Sequence, residues 1–562
     1  MLMANPAEAS EAERRPGLQS WGAHVAAILS FAAIFLVTFA ADIAFSLRQS
    51  RLANVPTHDD VAYLADGLDR VMFVEPGGLW PALRSIVTDP PHAPVSTLTA
   101  MLGFWTFGPS PIAAYLANAW VLALYVLVFA VLSRPLANLV TRTLFVAVLA
   151  FVPVAHAMVT EFRPDMAGGL LFALALGAIC TSDFRAITPG RAAAVVALAL
   201  AATITKPSAV VLTIPALGVA FVVTLISQGV FAGVDRWRLA RGALISAGLY
   251  VFALLPFAIV FGARTLSYIG GALFSDADIW ATPGSGWFHW TYHALGPGAA
   301  DALGPFSVIA LVLVLADLVV GHRRPGAPRR GSLAFYATLL VVYCAMAVSS
   351  EKTPYQGSYF YLPLLLAAAR AFISLVTVAR LRWPVAAPRA VNALLGAGLA
   401  LSVLFLPLGS SYSPRSEDGP EADRLLPIVT DAIFALEQNE WQDSPSCRAR
   451  TMRITALNYD PLTAGAIQMA LAKGGVRVVS DYDYFPRSLA EAKKSIDDVD
   501  LVVMVDPATL PTNKWLLVTA MVPDLYQFLS STPGVRKIQV GVYRKHPFWL
   551  FVKPHCDPVA PS

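Results

Sequence analysis

The chain has 562 residues, 56% of them hydrophobic and only 14% charged, with a formal net charge of +4. Soluble domains carry roughly 25% charged residues, so this composition excludes a soluble globular protein and implies several membrane spans. It gives no support to nucleic-acid binding, because the basic residues fall in short loops between apolar runs, where the positive-inside rule accounts for them.

Residues 1–20 are polar, with Arg14 and Arg15, and read as a disordered cytoplasmic tail. Val25 to Phe45 is too long for a signal-peptide core of about 7–15 residues and reads as a retained span leading outward. It opens a transmembrane domain over residues 21–409. Directly after this span stands Pro56-Thr57-His58-Asp59-Asp60-Val61-Ala62-Tyr63. Two adjacent carboxylates at a bilayer edge are costly to desolvate and repel one another, which tends to raise the pKa of one of them. The structural alternative is that Asp59 caps a helix and Asp60 is its first-turn acid.

Arg51 to Pro91 is expected outside the membrane. Leu64, Leu68, Val71 and Met72 recur at helical spacing and predict an amphipathic surface helix. Val95 to Phe107, about 13 residues, is short for a crossing and predicts a re-entrant or interfacial helix ending at Gly108-Pro109. With that run not crossing, spans follow at Ile112–Leu132, Leu144–Val159, Met166–Cys180, Ala192–Thr205, Ser208–Ile226, Ala243–Phe261, Leu303–Val320, Leu333–Val348, Tyr359–Val378 and Val391–Leu408. Almost every arginine-rich loop then lies inside. This makes about eleven spans and one partial one. Gly262 to Ala300 is read as a long outer loop.

Residues 410–445 read as a linker and a first helix, and 446–562 as an extracytoplasmic α/β domain of normal size. Strands are predicted at Thr451–Leu457, Val476–Ser480, Leu501–Val505 and Ile538–Tyr543. Helices are predicted at Pro461–Lys473, Leu489–Asp497 and Lys514–Ser530. The alternation argues for a small parallel α/β layer fold. Asn458-Tyr459-Asp460-Pro461 replaces the glycine-rich turn of a nucleotide site after the first strand. Cys447 and Cys556 flank this domain; a bridge closing about 100 residues would contribute on the order of 4 kcal/mol, and whether they pair is open. Cys180 and Cys344 lie in apolar spans and read as core residues.

Three polar clusters fall on the outer face in this topology: Asp59-Asp60, Glu161-Arg163-Asp165, and Lys206. Pro207 disfavours helix at Lys206, so the helix is expected to break there and turn the ammonium into a cavity. The structural alternatives are a snorkelling lysine and a plain Arg163–Asp165 ion pair. His289 and His293, at i and i+4, are spaced to share a helix face as ligands, so a divalent metal is left open and no metal ligand is assigned. The tryptophans and tyrosines around them suit sugar stacking and an interfacial belt alike.

The motifs resemble those of the polytopic GT-C glycosyltransferases, notably the branch of the lipid A aminoarabinose and protein O-mannosyltransferases. Asp59-Asp60-Val61-Ala62-Tyr63 is similar to the acidic pair and tyrosine that follow the family's first span. Pro91-His92-Ala93-Pro94 and Phe107-Gly108 are similar to its proline stretch and short helix. Arg163-Pro164-Asp165, Thr205-Lys206-Pro207 and Ile214-Pro215 match later elements. Ser358-Tyr359-Phe360-Tyr361-Leu362-Pro363 resembles the family's Arg-Tyr-Leu-Leu-Pro element, with serine in place of arginine. The likeness covers about Val25 to Ile373, outside the C-terminal domain.

The resemblance implies a mainly α, GT-C-like bundle and transfer of a sugar from a polyprenyl-phosphate donor. It also implies an acceptor hydroxyl on a lipid, polysaccharide or protein at the outer face of a bacterial inner membrane, with membrane lipids around the protein. It implies Asp59 as general base and Asp60 as its orienter or a holder of acceptor. Lys206, then Arg163, would offset the leaving phosphate, and Asp165 would fix Arg163 or bind acceptor. His92 and Tyr359 are expected to contact substrate, and Lys352 to stand in for the missing arginine. The competing reading is a transporter or lipid flippase, but the internal repeats typical of transporters are not evident.

Overall fold

The computed structural model describes residues 18–48, 60–72, 79–136, 138–230, 236–321, 327–406, 418–438, 451–458, 461–481, 486–507 and 516–553. Asp59, Cys447, Cys556 and residues 1–17 lie outside the described residues.

Among the described residues, eight helices are long and apolar enough to cross a membrane, and two bent helix pairs raise this to ten. The shorter apolar helix Pro189–Thr205 is the remaining expected span. The first helix runs Leu18–Arg48, and helix Asp60–Met72 follows as the predicted amphipathic element, burying Tyr63, Leu64 and Leu68. The short apolar run forms helix Pro94–Phe107. It stops at Gly108, whose φ of +83° is a conformation that side-chain-bearing residues resist. Helices Asp60–Met72 and Pro94–Phe107 pack closely because Gly67 has no Cβ; one added there would lie 2.5 Å from the Cβ of Ala100.

Two span expectations need correction. The run read as Leu144–Val159 is two helices, Leu139–Ala150 and Pro153–Thr160, bent by 63°. Pro153 cannot continue the preceding hydrogen-bond ladder, which is the physical cause of the break. The loop read as Gly262–Ala300 starts later, since helix Arg236–Gly270 carries the chain well beyond Phe261 before short helices at Ala277–Trp280, Gly286–Thr291 and Pro297–Leu303. Pro256 lies inside that helix and does not end it.

The C-terminal part packs helix Asp418–Leu436 and helix Ala464–Lys473 on a five-stranded sheet of order β2-β1-β3-β5-β4. β1 is Met452–Ala456, β2 Val478–Ser480, β3 Leu501–Val505, β4 Arg536–Tyr543 and β5 His546–Val552. The first three are parallel, but β5 runs antiparallel to both β3 and β4. The sheet is therefore mixed, not parallel throughout. The fifth strand is missed in sequence because its hairpin turn is Arg544-Lys545, at φ +47° and +73°, with no Asn or Gly to signal it, and because Pro547 stands in the strand.

This domain rests on the bundle. Met469 packs into an apolar cluster with Tyr63, Leu64, Leu68, Phe104, Tyr115 and Phe162. Gln468 donates to the Asp69 carboxylate. Arg487 pairs with Asp276 on the far side.

Candidate active site

Asp60 is the first residue of helix Asp60–Met72 and is buried. One oxygen of its carboxylate accepts from the Tyr115 hydroxyl and from the Phe162 N–H, the latter at 2.9 Å. The other lies 3.6 Å from Arg163 Nε. Burial raises the Asp60 pKa to about 6, while Arg163 and then the Tyr115 hydrogen bond hold it down.

Glu161-Phe162-Arg163 is an extended link between helices Pro153–Thr160 and Pro164–Thr181. Its extended backbone aims Phe162 N–H at Asp60 and swings Arg163 between Asp60 and Glu161, each 3.6 Å from Nε. The Arg163 guanidinium also lies over the Tyr355 ring, 4.0 Å from its centroid. Such a stack holds the guanidinium plane against the ring.

Pro164 opens the next helix and puts Asp165 in its first turn. Lys206 caps helix Pro189–Thr205 in extended conformation, as Pro207 requires. Its ammonium reaches Asp165 at 2.7 Å and lies 5.9 Å from the Tyr355 ring centroid. Ser358, standing where the resembling family has arginine, donates to the Asp165 carbonyl at 2.7 Å. Tyr359 is buried beside Gly168, where an added Cβ would lie 2.2 Å from its hydroxyl.

His92 is sandwiched between two rings, Tyr63 at 6.1 Å and Tyr268 at 4.4 Å. It borders a cleft also lined by Pro207, Ser208, Arg264 and Tyr268. Thus Asp60, Arg163, Asp165, Lys206, Tyr359 and His92 occupy one end of the bundle, linked through Tyr355, Tyr63 and Ser358. Asp59 lies outside the described residues. Lys352 is turned elsewhere. Its ammonium donates to the Met346 and Ala347 carbonyls at 2.5 and 3.1 Å, closing the end of helix Ala327–Val348. Burial lowers its pKa to about 8.

Helix Gly286–Thr291 ends before His293, so His289 and His293 do not share a helix face. His293 Nδ1 lies 2.9 Å from the Tyr361 hydroxyl, and burial, followed by the charge of Lys352, lowers its pKa to about 3. Among the described residues no group of three or more His, Cys, Asp or Glu side chains is placed to hold a metal ion.

Sequence reasoning missed Tyr115, Tyr355 and Gln468. The first two carry no motif signal. Gln468 is the one polar residue in the apolar stretch Ala464–Ala472, and that contrast is the available hint.

No family model and no curated protein matches the sequence. The structure is similar to that of ArnT from Cupriavidus metallidurans bound to undecaprenyl phosphate, with TM-score 0.56 and 14% identity, covering 96% of this chain and 100% of that one. The apo state of the same protein gives TM-score 0.55 at 14% identity over 95% and 100% of the two chains. The Archaeoglobus fulgidus oligosaccharyltransferase in complex with Zn and sulfate gives TM-score 0.50 at 12% identity over 84% of this chain and 68% of that one. The chain is a polytopic membrane protein with the fold of these proteins, the GT-C fold that its motifs imply.

Proposed function

We propose that this protein is a membrane glycosyltransferase. It moves a sugar from a polyprenyl-phosphate donor to a hydroxyl acceptor on a lipid, polysaccharide or protein, at the outer face of a bacterial inner membrane, with the C-terminal domain periplasmic. The observation that carries this reading is the gathering of Asp60, Arg163, Asp165 and Lys206 around Tyr355 at one end of a GT-C bundle.

The chemistry follows from the charges. The acceptor oxygen attacks the anomeric carbon, loses its proton to a carboxylate, and the sugar–phosphate C–O bond breaks. Asp59 is the base. Asp60, already accepting two hydrogen bonds, orients the segment that carries it. The leaving lipid phosphate carries its negative charge toward Lys206 and Arg163, cations held in place before the reaction. Asp165 keeps Lys206 charged and aimed. His92 and Tyr359 line the approach to it, and Lys352 closes the end of helix Ala327–Val348. The ArnT structure with undecaprenyl phosphate is consistent with a lipid-phosphate donor.

The test is mass spectrometry of envelope glycolipids and glycans from a deletion strain complemented with wild type or Asp59→Asn. The expected result is a glycosylated product that disappears on deletion, returns with wild type and does not return with Asp59→Asn at equal membrane abundance. An envelope unchanged by deletion would overturn the assignment, and full complementation by Asp59→Asn would remove Asp59 as base.

A further inference from the structure

One ionisable pair lies apart from the cluster above. Asp42, on the first helix, and His156, on helix Pro153–Thr160, meet with Oδ1 2.6 Å from Nδ1, and both side chains are fully buried. Ionisable groups at membrane depth are expensive and are retained where they have a task. Thr38 and Ser46, one turn before and after Asp42, are also fully buried, so the first span presents a polar seam inside the bundle. That seam cannot be explained by packing alone, for which apolar residues would serve better.

The place of His156 is informative. Helix Pro153–Thr160 is the short second leg of the broken span, and it runs directly into Glu161-Phe162-Arg163. The top of this leg is held by Asn118, whose side-chain amide donates to the Met158 carbonyl at 3.0 Å. The base of the leg is bent by 63° from the preceding helix, with the Phe151 ring 5.7 Å from that of His156. The bond between His156 and Asp42 is a side-chain tie between this leg and the first span. Ile43 of the first span packs against the cluster that holds Tyr63 and Leu64 of the helix opened by Asp60, and the leg leads to the Phe162 N–H and Arg163 that bind Asp60.

We propose that Asp42 and His156 are positioning residues. Their bond sets the height and rotation of the leg against the first span, and so sets the spacing of Arg163 and Phe162 from Asp60. The catalytic consequence rests on the glycosyltransferase reading; the mechanical coupling does not.

The test uses the full chain in lipid nanodiscs, as wild type, Asp42→Asn, His156→Gln and the exchange Asp42→His/His156→Asp. Three quantities are measured. They are hydrogen–deuterium exchange over residues 158–163, affinity for undecaprenyl phosphate, and glycosylated envelope product in a complemented deletion strain at matched protein level. In the single variants exchange at the Phe162 amide is expected to rise at least tenfold while the other helices keep their protection. Product is expected to fall at least tenfold and undecaprenyl phosphate affinity to fall with it, and the Asp42→His/His156→Asp variant is expected to restore exchange protection and product. Unchanged exchange at Phe162 in either folded single variant overturns the proposal, as does a uniform rise over the whole bundle. If Asp42→Asn does not accumulate, His156→Gln decides in the same way. If wild type binds no undecaprenyl phosphate and deletion leaves the envelope unchanged, the functional reading falls, and the exchange data alone then decide the coupling.

Discussion

Lys206 Nζ stands 2.7 Å from Asp165 Oδ1, with Asp165 buried and the Lys206 side chain 13% exposed. Each is delivered by a proline: Pro164 starts the helix that carries Asp165, and Pro207 ends the one that carries Lys206. Two backbone devices written in sequence thus create one contact across 41 residues.

Breaking this pair from one side is expected to cost more than removing it. Asp165→Asn leaves a buried ammonium without its counter-charge, a loss of about 3 kcal/mol. Adding Lys206→Met to Asp165→Asn should recover part of that loss in thermal unfolding of the purified protein, while glycosylated product stays absent in Asp165→Asn, in Lys206→Met alone and in the double variant. A double variant as unstable as the sum of the singles would contradict the pair as described.

Asp60 titrates upward, to about 6, chiefly through burial. Between its ordinary 3.8 and about 6 the folded protein holds a proton that the unfolded chain has released. Its contribution to stability therefore falls as pH rises through that window and changes little above it. Arg163 and Tyr115 both pull the value down. Arg163→Gln and Tyr115→Phe should move the carboxyl midpoint above 6, read by infrared titration of the carboxyl band against Asp60→Asn. A midpoint that stays or drops would show that neither group reaches the carboxylate.

The junction between bundle and C-terminal domain should be pH-sensitive. Burial raises Asp69 to about 7, against the lowering effect of its Gln468 hydrogen bond. Gln468 in turn accepts from the Ser480 hydroxyl at 2.5 Å, so one side chain joins the surface helix to the sheet edge. Because the folded value lies above the ordinary 3.8, stability from this site is present at low pH and lost as pH rises through about 7. Asp69→Asn should abolish that loss, leaving the variant more resistant than wild type to limited proteolysis at the junction at pH 8. Equal resistance at pH 8 and pH 6 in wild type would refute the coupling.

Close packing at Gly168 and Gly169 holds helix Ser358–Arg382 against helix Pro164–Thr181. A Cβ at Gly169 would lie 2.6 Å from the backbone carbonyl oxygen of Ser358, which cannot yield without moving the helix. Gly169→Ala should cost about 1–3 kcal/mol. At Gly168 the obstacle is the Tyr359 hydroxyl. Tyr359→Phe should therefore relieve part of the loss from Gly168→Ala and none of that from Gly169→Ala, measured by thermal unfolding.

Hydropathy and loop charge marked most of the spans, and the short helix Pro94–Phe107 was legible because a run that ends in Gly108-Pro109 cannot be extended. The break at Pro153 and the extra turns up to Gly270 were not legible. A proline can end a helix, as Pro207 does at Lys206, or sit within one, as Pro256 does, and neighbouring helices decide which. In the C-terminal domain the parallel strands showed as apolar runs, whereas β5 was hidden behind a turn without Gly or Asn.

By itself the sequence determined that this is a polytopic membrane protein with an appended α/β domain, and which acids and cations stand at helix ends. Those properties follow from transfer energies and backbone limits of single residues and their neighbours. Only the tertiary structure decided which of these groups meet. Asp60 is bound by Tyr115 and Phe162, 55 and 102 residues away, Lys352 turns to a helix end, and Asp42 finds His156 across 114 residues. The physical reason is that helix packing sets such distances through many small contacts, and no local stretch of chain encodes them.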